Sequence, residues 1–397
     1  PSMTADAAAG PASGSRLVDA LLATSQEFAK AVTLPGAVFH SGAVFRFEQQ
    51  LLASAWHPVA REEDLPAPGA YRRVEVDGQP LLLTRDDAGE AHAHYNVCVH
   101  RGSRLVDATS GKASQLRCPY HAWCYDLAGK LTHAPRQCDD SPRALRRVRL
   151  ARWGGYLLLN LDDDAPDLST AWHDLPDCSA YRMASLRRAH REVYEVRANW
   201  KLLCENYSEC YHCPGAHPQL ARISDYVGDG HKSADGVSSF GACFNGGPMA
   251  LREGVGTMSM TGRSRLPIIE SVPEADRHLV YYYVIYPNLF LSLHPDYVLL
   301  HMLTPIAPDR TRVTCDWLVH PQALGAREAI ADVVDFWHLT NVQDWQLCER
   351  NHAGVVSRGY VPGPYHESEQ CVHGFDAWYA GTLARALPPS SAGEFAD

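Results

Sequence analysis

The feature that most limits what this chain can be is a pair of short loops carrying metal donors. Cys98-Val99-His100 comes first, and Cys118-Pro119-Tyr120-His121 follows after residues 101–117. Each loop supplies one thiolate and one imidazole, close enough in sequence to sit at the tip of one tight turn. Two such tips can clasp a single [2Fe–2S] cluster in which histidines replace cysteines on one iron. Exchanging anionic thiolates for neutral imidazoles raises the reduction potential, so the centre accepts electrons readily from a low-potential donor. Structural zinc uses the same donor types in a tetrahedron. The usual zinc pattern pairs Cys with Cys and His with His, however, whereas each loop here holds one of each.

A chain of 397 residues has room for two domains, each with its own core. With 46% hydrophobic and 21% charged residues the composition is that of an ordinary globular protein. No apolar run reaches the length of a membrane span, and the N-terminus shows no basic-then-apolar leader, which points away from secretion. The 12 scattered cysteines read as ordinary buried thiols of a reduced, cytoplasmic protein and not as a disulfide framework. A formal charge of −10 argues against nucleic acid or an anionic membrane as partner.

Residues 1–16, rich in Ala, Gly, Ser and Pro, are expected to form a mobile arm. Apolar spacing suggests helices over residues 16–32 and 41–55. From Trp56 the texture changes to short strands divided by turn signals such as Asp77-Gly78 and Leu127-Ala128-Gly129. The apolar run 156–161 reads as a buried closing strand, and the acidic loop 162–166 after it marks a boundary. This gives an arm and helix over residues 1–44, an antiparallel β domain over 45–165 and a second domain over 166–397. The second domain mixes strands (187–196, 279–286, 289–293, 298–305, 311–320) with a helix over 201–212 and a long helix over 326–350. In the long helix Phe336, Leu339, Trp345 and Leu347 are the inward candidates. The whole is α+β.

A second set of donors lies in Glu205-Asn206-Tyr207-Ser208-Glu209-Cys210-Tyr211-His212-Cys213-Pro214-Gly215-Ala216-His217. His212 ends the expected helix and His217 follows a Pro-Gly break, so the bend can turn both imidazoles toward one point. Two histidines and a carboxylate on one face leave positions open for O2 and substrate, the donor set of non-haem Fe(II) oxygenases. Two structural histidines are the commoner explanation of such a pair taken alone. The cluster loops change that balance, because a cluster only moves electrons and needs a place to send them. Asp344 is the candidate third donor, since it sits among apolar residues where an unpaired carboxylate is costly unless it binds a cation. Asp332 and Asp335 compete on the same helix, although solvated surface positions account for both. Glu209, three residues before His212, reaches the same helix side. It is either an exposed glutamate or the acceptor for the free ring N–H of a ligating histidine.

Together these segments, with Asn96-Val97-Cys98-Val99-His100-Arg101-Gly102 and Cys118-Pro119-Tyr120-His121-Ala122-Trp123, resemble the α subunits of Rieske non-haem iron oxygenases over residues 40–380. The resemblance implies an N-terminal antiparallel β Rieske domain and a C-terminal helix-grip catalytic domain, an antiparallel sheet around a long helix. It implies that Cys98, His100, Cys118 and His121 hold the [2Fe–2S] cluster and that His212, His217 and Asp344 hold mononuclear Fe(II). Members commonly form ring-shaped homotrimers, in which Glu209 would bridge to His121 of the adjacent subunit. Electrons would come from NAD(P)H through a separate flavin and iron–sulfur reductase, since this chain has no Gly-rich dinucleotide fingerprint. Ala122 departs from the glycine that is frequent after the second ligand histidine.

Glu209 at the bridge, the string 205–213 and Tyr286-Pro287-Asn288-Leu289-Phe290-Leu291-Ser292-Leu293-His294-Pro295-Asp296-Tyr297 further resemble glycine betaine, choline and carnitine monooxygenases. That branch implies hydroxylation of an N-methyl group of a quaternary ammonium, followed by loss of formaldehyde. A cation that cannot donate hydrogen bonds is held by aromatic faces, and Tyr281, Tyr282, Tyr283, Phe244 and Tyr286 are the candidates, only alternate residues of a strand facing one side. The competing enzymatic reading is dihydroxylation or monooxygenation of an aromatic or other small molecule. An electron carrier with an appended domain would leave over half the chain unexplained. A non-catalytic helix-grip binding protein would hold no iron beyond the cluster.

Overall fold

The computed structural model describes residues 13–136, 141–226 and 239–387. The arm expected over residues 1–16 lies outside them as far as residue 12. From Ser13 the chain is helical, and this first helix, Ser13–Thr24, stops well short of residue 32. The reason is local: the hydroxyls of Thr24 and Ser25 turn back onto the carbonyls of Ala20 and Leu21, so the side chains compete for the helix's own acceptors. Val32 then pairs with Pro364 in an isolated bridge.

The described chain forms two compact units, one of Gln49–His173 with Arg182–Arg187 and one of Pro1–Glu48, Asp174–Tyr181 and Arg188–Asp397. The smaller unit is built from three antiparallel sheets. His57–Arg61, Tyr156–Asn160 and Arg149–Trp153 make the first, with Tyr156–Asn160 buried throughout. That strand is central and not closing, because Arg149–Trp153 folds back against its free edge in register. Ala91–Tyr95, Gln79–Arg85, Ala70–Val76 and Ser110–Lys112 form the second sheet, and Leu116–Arg117, Cys124–Tyr125 and Leu131–His133 the third. Leu82, Leu105, Leu116, Trp123, Tyr125 and Leu145 pack into a core that also contains Cys98 and Cys118.

The larger unit is organised by a seven-stranded sheet. Its order runs Arg187–Val196, Arg310–Val319, Tyr297–Ala307, Leu289–Leu293, Leu279–Ile285, Phe244–Ala250, Ser239–Phe240. The strand Phe244–Ala250 is absent from the sequence reading because its Asn-Gly-Gly-Pro centre reads as a turn. Gly246 sits there at φ 130°, where an added Cβ would run into the Tyr282 carbonyl of the neighbouring strand, so only glycine permits the pairing. Helices Trp200–Tyr207, Arg327–Val355 and Gln370–Ala386 supply much of the rest of the core, with Trp200, Phe336, Phe375 and Tyr379 fully covered. The long helix runs five residues past its expected end. Phe336 and Trp345 are buried as expected, whereas Leu339 is 38% exposed, on the solvent face of the helix. Asp332 is buried and not solvated: its carboxylate accepts the Thr261 hydroxyl at 2.6 Å and the Thr261 amide at 3.1 Å.

One buried ion pair fixes the start of helix Trp200–Tyr207. Lys201 and Glu48 are both covered, and Lys201 Nζ donates to Glu48 Oε1 at 2.5 Å. The same carboxylate accepts Trp200 Nε1–H at 2.9 Å and the Tyr379 hydroxyl at 2.5 Å. The ammonium also lies over the Tyr379 ring, 4.8 Å from its centre. Burial pulls the Lys201 pKa down, and the Glu48 charge opposes that pull. Replacing Glu48 by Ala strands a buried cation and two buried donors. Glu48→Ala should therefore cost about 3–5 kcal/mol in urea unfolding; a loss within about 1 kcal/mol of zero would show that the pair does not anchor the helix.

Candidate metal centres

In the smaller unit, the two donor loops are held by backbone bonds that leave their tips free. In the first, the Cys98 amide donates to Ser103 O at 2.8 Å and Gly102 N–H to Cys98 O at 3.0 Å, above a Val97–Arg104 bridge. The buried Asn96 side chain straps the base, accepting from the amides of Leu105 and Val106 and donating to Val106 O. In the second loop the Cys118 amide donates to Trp123 O at 2.8 Å, and Ala122 N–H to Cys118 O at 3.1 Å. Ala122 takes a left-handed φ of 61°, which explains why glycine is the easier residue there. The turn forms nonetheless, with alanine bearing a steric cost of about 1–2 kcal/mol.

The donors are polarised. Both thiols are buried, each 2% exposed, while His100 is exposed and His121 half-buried, with their rings 4.6 Å apart. His100 stacks flat on Trp123 at 4.7 Å, which fixes its plane. Burial raises the Cys118 pKa, but the amides of Tyr120 and His121 aimed at its sulfur, with Cys98 and Ser103, bring the thiol below its ordinary value. Donors pointed at sulfur favour the thiolate that a metal requires. The Tyr125 hydroxyl and Cys98 Sγ lie 3.1 Å apart. A sulfur pair on the inside and an imidazole pair on the outside fit a two-iron cluster with unlike ends better than a single tetrahedral ion.

The larger unit brings together the other three expected donors. His212 Nε2 and His217 Nε2 lie 3.2 and 2.9 Å from the same oxygen, Asp344 Oδ1. The expected helix over 201–212 ends at Tyr207, where Ser208 is the C-cap: its amide donates to Cys204 O and Glu205 O and its hydroxyl to Cys204 O at 2.7 Å. Glu209 therefore works from a turn and not from a helix face. It still takes the expected position: Oε1 accepts His212 Nδ1–H at 2.5 Å, and Oε2 accepts the amides of Tyr211 and His212. On the other ring, Gln343 Oε1 accepts His217 Nδ1–H at 2.8 Å and is itself held by Gln219 Nε2 at 2.7 Å.

With each Nδ1–H committed, both Nε2 lone pairs face a carboxylate oxygen. Three acceptor atoms converge on one point, an arrangement that demands a cation. Burial lowers the His212 pKa, yet its bonds to Asp344 and Glu209 outweigh that and carry it up to about 10. Burial raises the Asp344 carboxyl, and the two imidazoles pull it below its ordinary value. Among the described residues, donor atoms of His212, Cys213 and His217 also lie within 4.8 Å of one another. Cys213, however, is joined to Cys210 in a disulfide, so its sulfur is not a free thiolate. That bond corrects the expectation of ordinary thiols throughout: the two-residue spacing across a tight turn places the Cα atoms 4.9 Å apart.

A pocket opens on these donors, lined also by Tyr207, Leu220, Met249, Tyr282 and Trp337. Of the Tyr281–Tyr283 run only Tyr282 faces it. Tyr281 and Tyr283 point to the other side of the sheet, stacking on each other 6.3 Å apart, with Phe244 against Tyr283. Tyr286 stacks on Trp378. Tyr207 and Trp337, each 6.1 Å from Tyr282 by ring centres, are the aromatic walls that sequence spacing missed. Gln343 and Gln219 escaped notice for the same reason: side chains that orient a ligand carry no spacing signal of their own.

Comparison with known proteins places these features. Residues 183–385 match the ring hydroxylating alpha subunit (catalytic domain) family and residues 55–148 the Rieske [2Fe-2S] domain. The glycine betaine monooxygenase oxygenase subunit of Chromohalobacter salexigens is 32% identical over 392 residues, spanning 89% of this chain and 86% of that protein. The chloroplastic choline monooxygenase of Beta vulgaris is 26% identical, spanning 89% and 77%. Among solved structures, the quaternary ammonium Rieske monooxygenase CntA bound to an inhibitor gives a TM-score of 0.74 at 22% identity, covering 92% of this chain and 98% of that one. Naphthalene 1,2-dioxygenase from Rhodococcus sp. gives 0.70 at 18% identity, covering 94% and 98%. At such identities the solved structures speak for the fold, a β Rieske domain and a sheet-and-helix catalytic domain.

Removing the Gln343 amide frees the His217 ring to rotate. Gln343→Leu should weaken iron binding about 10–100-fold, read as metal retained after dialysis against a graded chelator. Full retention would show that the strap does not orient the ligand.

Proposed function

Because the chain belongs to the Rieske oxygenases, the family of ring-hydroxylating α subunits, we propose that it is a terminal monooxygenase that removes an N-methyl group from a small quaternary ammonium compound. The observation that carries this reading is the pocket at His212, His217 and Asp344, walled by Tyr207, Tyr282 and Trp337, with neither Lys nor Arg among its described lining residues. A quaternary cation offers no hydrogen-bond donor, and aromatic faces attract it by about 0.5–2 kcal/mol each. Leu220 and Met249 suit its methyl groups. The formal charge of −10 adds a weak general attraction for cations.

The cofactors of the two domains are a Rieske [2Fe–2S] cluster and mononuclear iron. We assign the cluster to Cys98, His100, Cys118 and His121 and the iron to His212, His217 and Asp344, where the cluster supplies electrons and the iron supplies O2 activation. Around them the chain's own groups have separate tasks. Glu209 and Gln343 each hold an Nδ1 proton, so that both Nε2 atoms stay available. Tyr207, Tyr282 and Trp337 position the cation so that one methyl group approaches the donors. Hydroxylation of that carbon gives a hemiaminal, which falls apart to formaldehyde and the demethylated amine.

Electrons reach the exposed imidazole side from a separate flavin and iron–sulfur reductase fed by NAD(P)H. We further propose a homotrimer in which Glu209 meets His121 of the adjacent copy, Oε1 and Oε2 already bracketing the His212 end of that link. No helix among the described residues is long and apolar enough to cross a membrane, and the unpaired thiols among the described residues outside the proposed cluster site support a cytoplasmic setting.

Anaerobically reduced protein should contain three irons per chain and give a Rieske-type EPR signal, and His212→Ala should leave the two cluster irons with their signal intact. With a reductase and a panel of quaternary ammonium compounds, formaldehyde should appear in step with substrate loss. Zinc in place of iron, or a cis-diol from an aromatic substrate as the sole product, would overturn the reading. Tyr125→Phe removes the hydroxyl beside Cys98 Sγ and should lower the cluster potential by on the order of tens of millivolts in a redox titration.

A further inference from the structure

Beside the metal pocket lies a pair of buried carboxyl groups that none of the roles above uses. Glu205, on helix Trp200–Tyr207, and Asp376, on helix Gln370–Ala386, meet side chain to side chain. Asp376 is fully covered, and one of its oxygens accepts the Tyr365 hydroxyl at 2.7 Å. The other, Oδ1, and Glu205 Oε1 are buried and find no N–H or O–H donor among the described residues. Ionised carboxylates only accept hydrogen bonds. Two of them face to face are repulsive unless one proton sits between them, as in carboxyl pairs elsewhere.

The surroundings keep that proton in place. Burial is the main cause that pushes the Glu205 carboxyl well above its ordinary range and brings Asp376 up to about 7. Glu369 adds a like charge, and the Tyr379 and Tyr360 phenols stay neutral near the pair. The thiols of Cys204 and Cys348, raised by burial, stay neutral too. Lys201 is the one opposing cation facing the pair among the described residues, and Glu48 already engages it.

The pair is not sealed. Glu205 lines a cavity of about 350 Å³ together with Asn206, Glu209, His212, Tyr365 and Glu369. At roughly 30 Å³ per molecule, that space has room for a chain of waters. Asn206, Glu209 and His212 also line the substrate pocket, so they form the wall shared by the two spaces. Inserting one atom of O2 into a C–H bond takes up two electrons and two protons and leaves one water. The electrons are the reductase's; the protons must enter a pocket whose described lining, beyond this wall, holds the donors His217 and Asp344, the hydroxyl of Thr340, the Cys210–Cys213 disulfide, and aromatic and aliphatic side chains.

Resting on the oxygenase reading, we propose that Glu205 and Asp376 share one stored proton at Glu205 Oε1, which is released into the cavity and crosses its shared wall to the oxygen chemistry in the pocket. Solvent reloads the pair after each turnover. Neither carboxyl touches substrate or metal, so both act through the cavity between them and the pocket.

Infrared difference spectroscopy of the intact resting protein tests the stored proton directly. Below neutral pH the wild type should show the C=O stretch of a protonated carboxylic acid, shifted in D2O, whose frequency Glu205→Gln and Asp376→Asn each change. With saturating reductase, Glu205→Gln should slow product formation about 10²-fold with KM little changed, should enlarge the solvent deuterium isotope effect, and should be partly rescued by Glu205→Asp. Absence of the band in the wild type overturns the proposal, and that holds even if neither variant folds. So does a Glu205→Gln enzyme of normal rate, or one whose loss of rate comes without any change in isotope effect. Failure of the wild type to demethylate any quaternary ammonium, with the band present, would sink the oxygenase reading and leave the shared proton standing.

Discussion

A carboxylate buried in the middle of a helix is unstable unless something positive meets it, and Asp344 sets that condition for the larger unit. Its Oδ1 faces the Nε2 atoms of His212 and His217 at 3.2 and 2.9 Å, so a turn and a helix far apart in sequence are drawn to one point. Everything that orients the two imidazoles follows from this need. Glu209 takes one ring's Nδ1 proton, and Gln343, the residue before Asp344, takes the other's. The helix thus supplies both an acceptor for the site and the brace that aims a histidine at it. Behind the turn, the buried Lys201–Glu48 pair pins the helix that leads into it. A site of this kind is rigid because each polar atom is already engaged elsewhere, leaving lone pairs pointing only inward.

The two donor sets solve different problems. The loops of the β unit hide sulfur and show imidazole, which keeps thiolates away from water while leaving an exposed edge for electron exchange. The set in the catalytic unit buries His217 almost completely and opens onto a pocket with aromatic walls, with His212 also lining the neighbouring cavity. Open coordination positions invite water and side reactions, so a largely apolar lining protects whatever reacts there. Acidic groups near this second set appear on the cavity side of Glu209 and not among Tyr207, Tyr282 and Trp337. The wall of Asn206, Glu209 and His212 divides a place for a cation from a place for protons.

Some of this was legible in the residues alone. The proposed cluster donors Cys98, His100, Cys118 and His121 stand out in the sequence, because a metal cluster restricts both donor type and spacing over a few residues. The bend at Pro214-Gly215 and the pair His212/His217 are similarly local, and Asp344 stands out as a carboxylate in an apolar setting. Antiparallel strands between turn signals and one long helix followed from periodicity. Ala122 was marked as unusual by comparison with glycine, and its left-handed φ gives the reason.

The tertiary structure decided what depends on contacts between distant segments. No spacing rule states that helix Trp200–Tyr207 ends before Glu209, at a C-cap where the Ser208 amide and hydroxyl both return to Cys204 O. Nor does any rule select Tyr282 over Tyr281 and Tyr283, because the strand's register with Gly246 and Ser292 sets which face turns inward. Gln343, Gln219, Trp337 and the facing carboxyls of Glu205 and Asp376 acquire meaning only when helices separated by many residues pack together. Sequence determines chemistry wherever one short segment must satisfy a metal or a turn by itself. Packing determines it wherever a buried polar atom must find its partner across the fold.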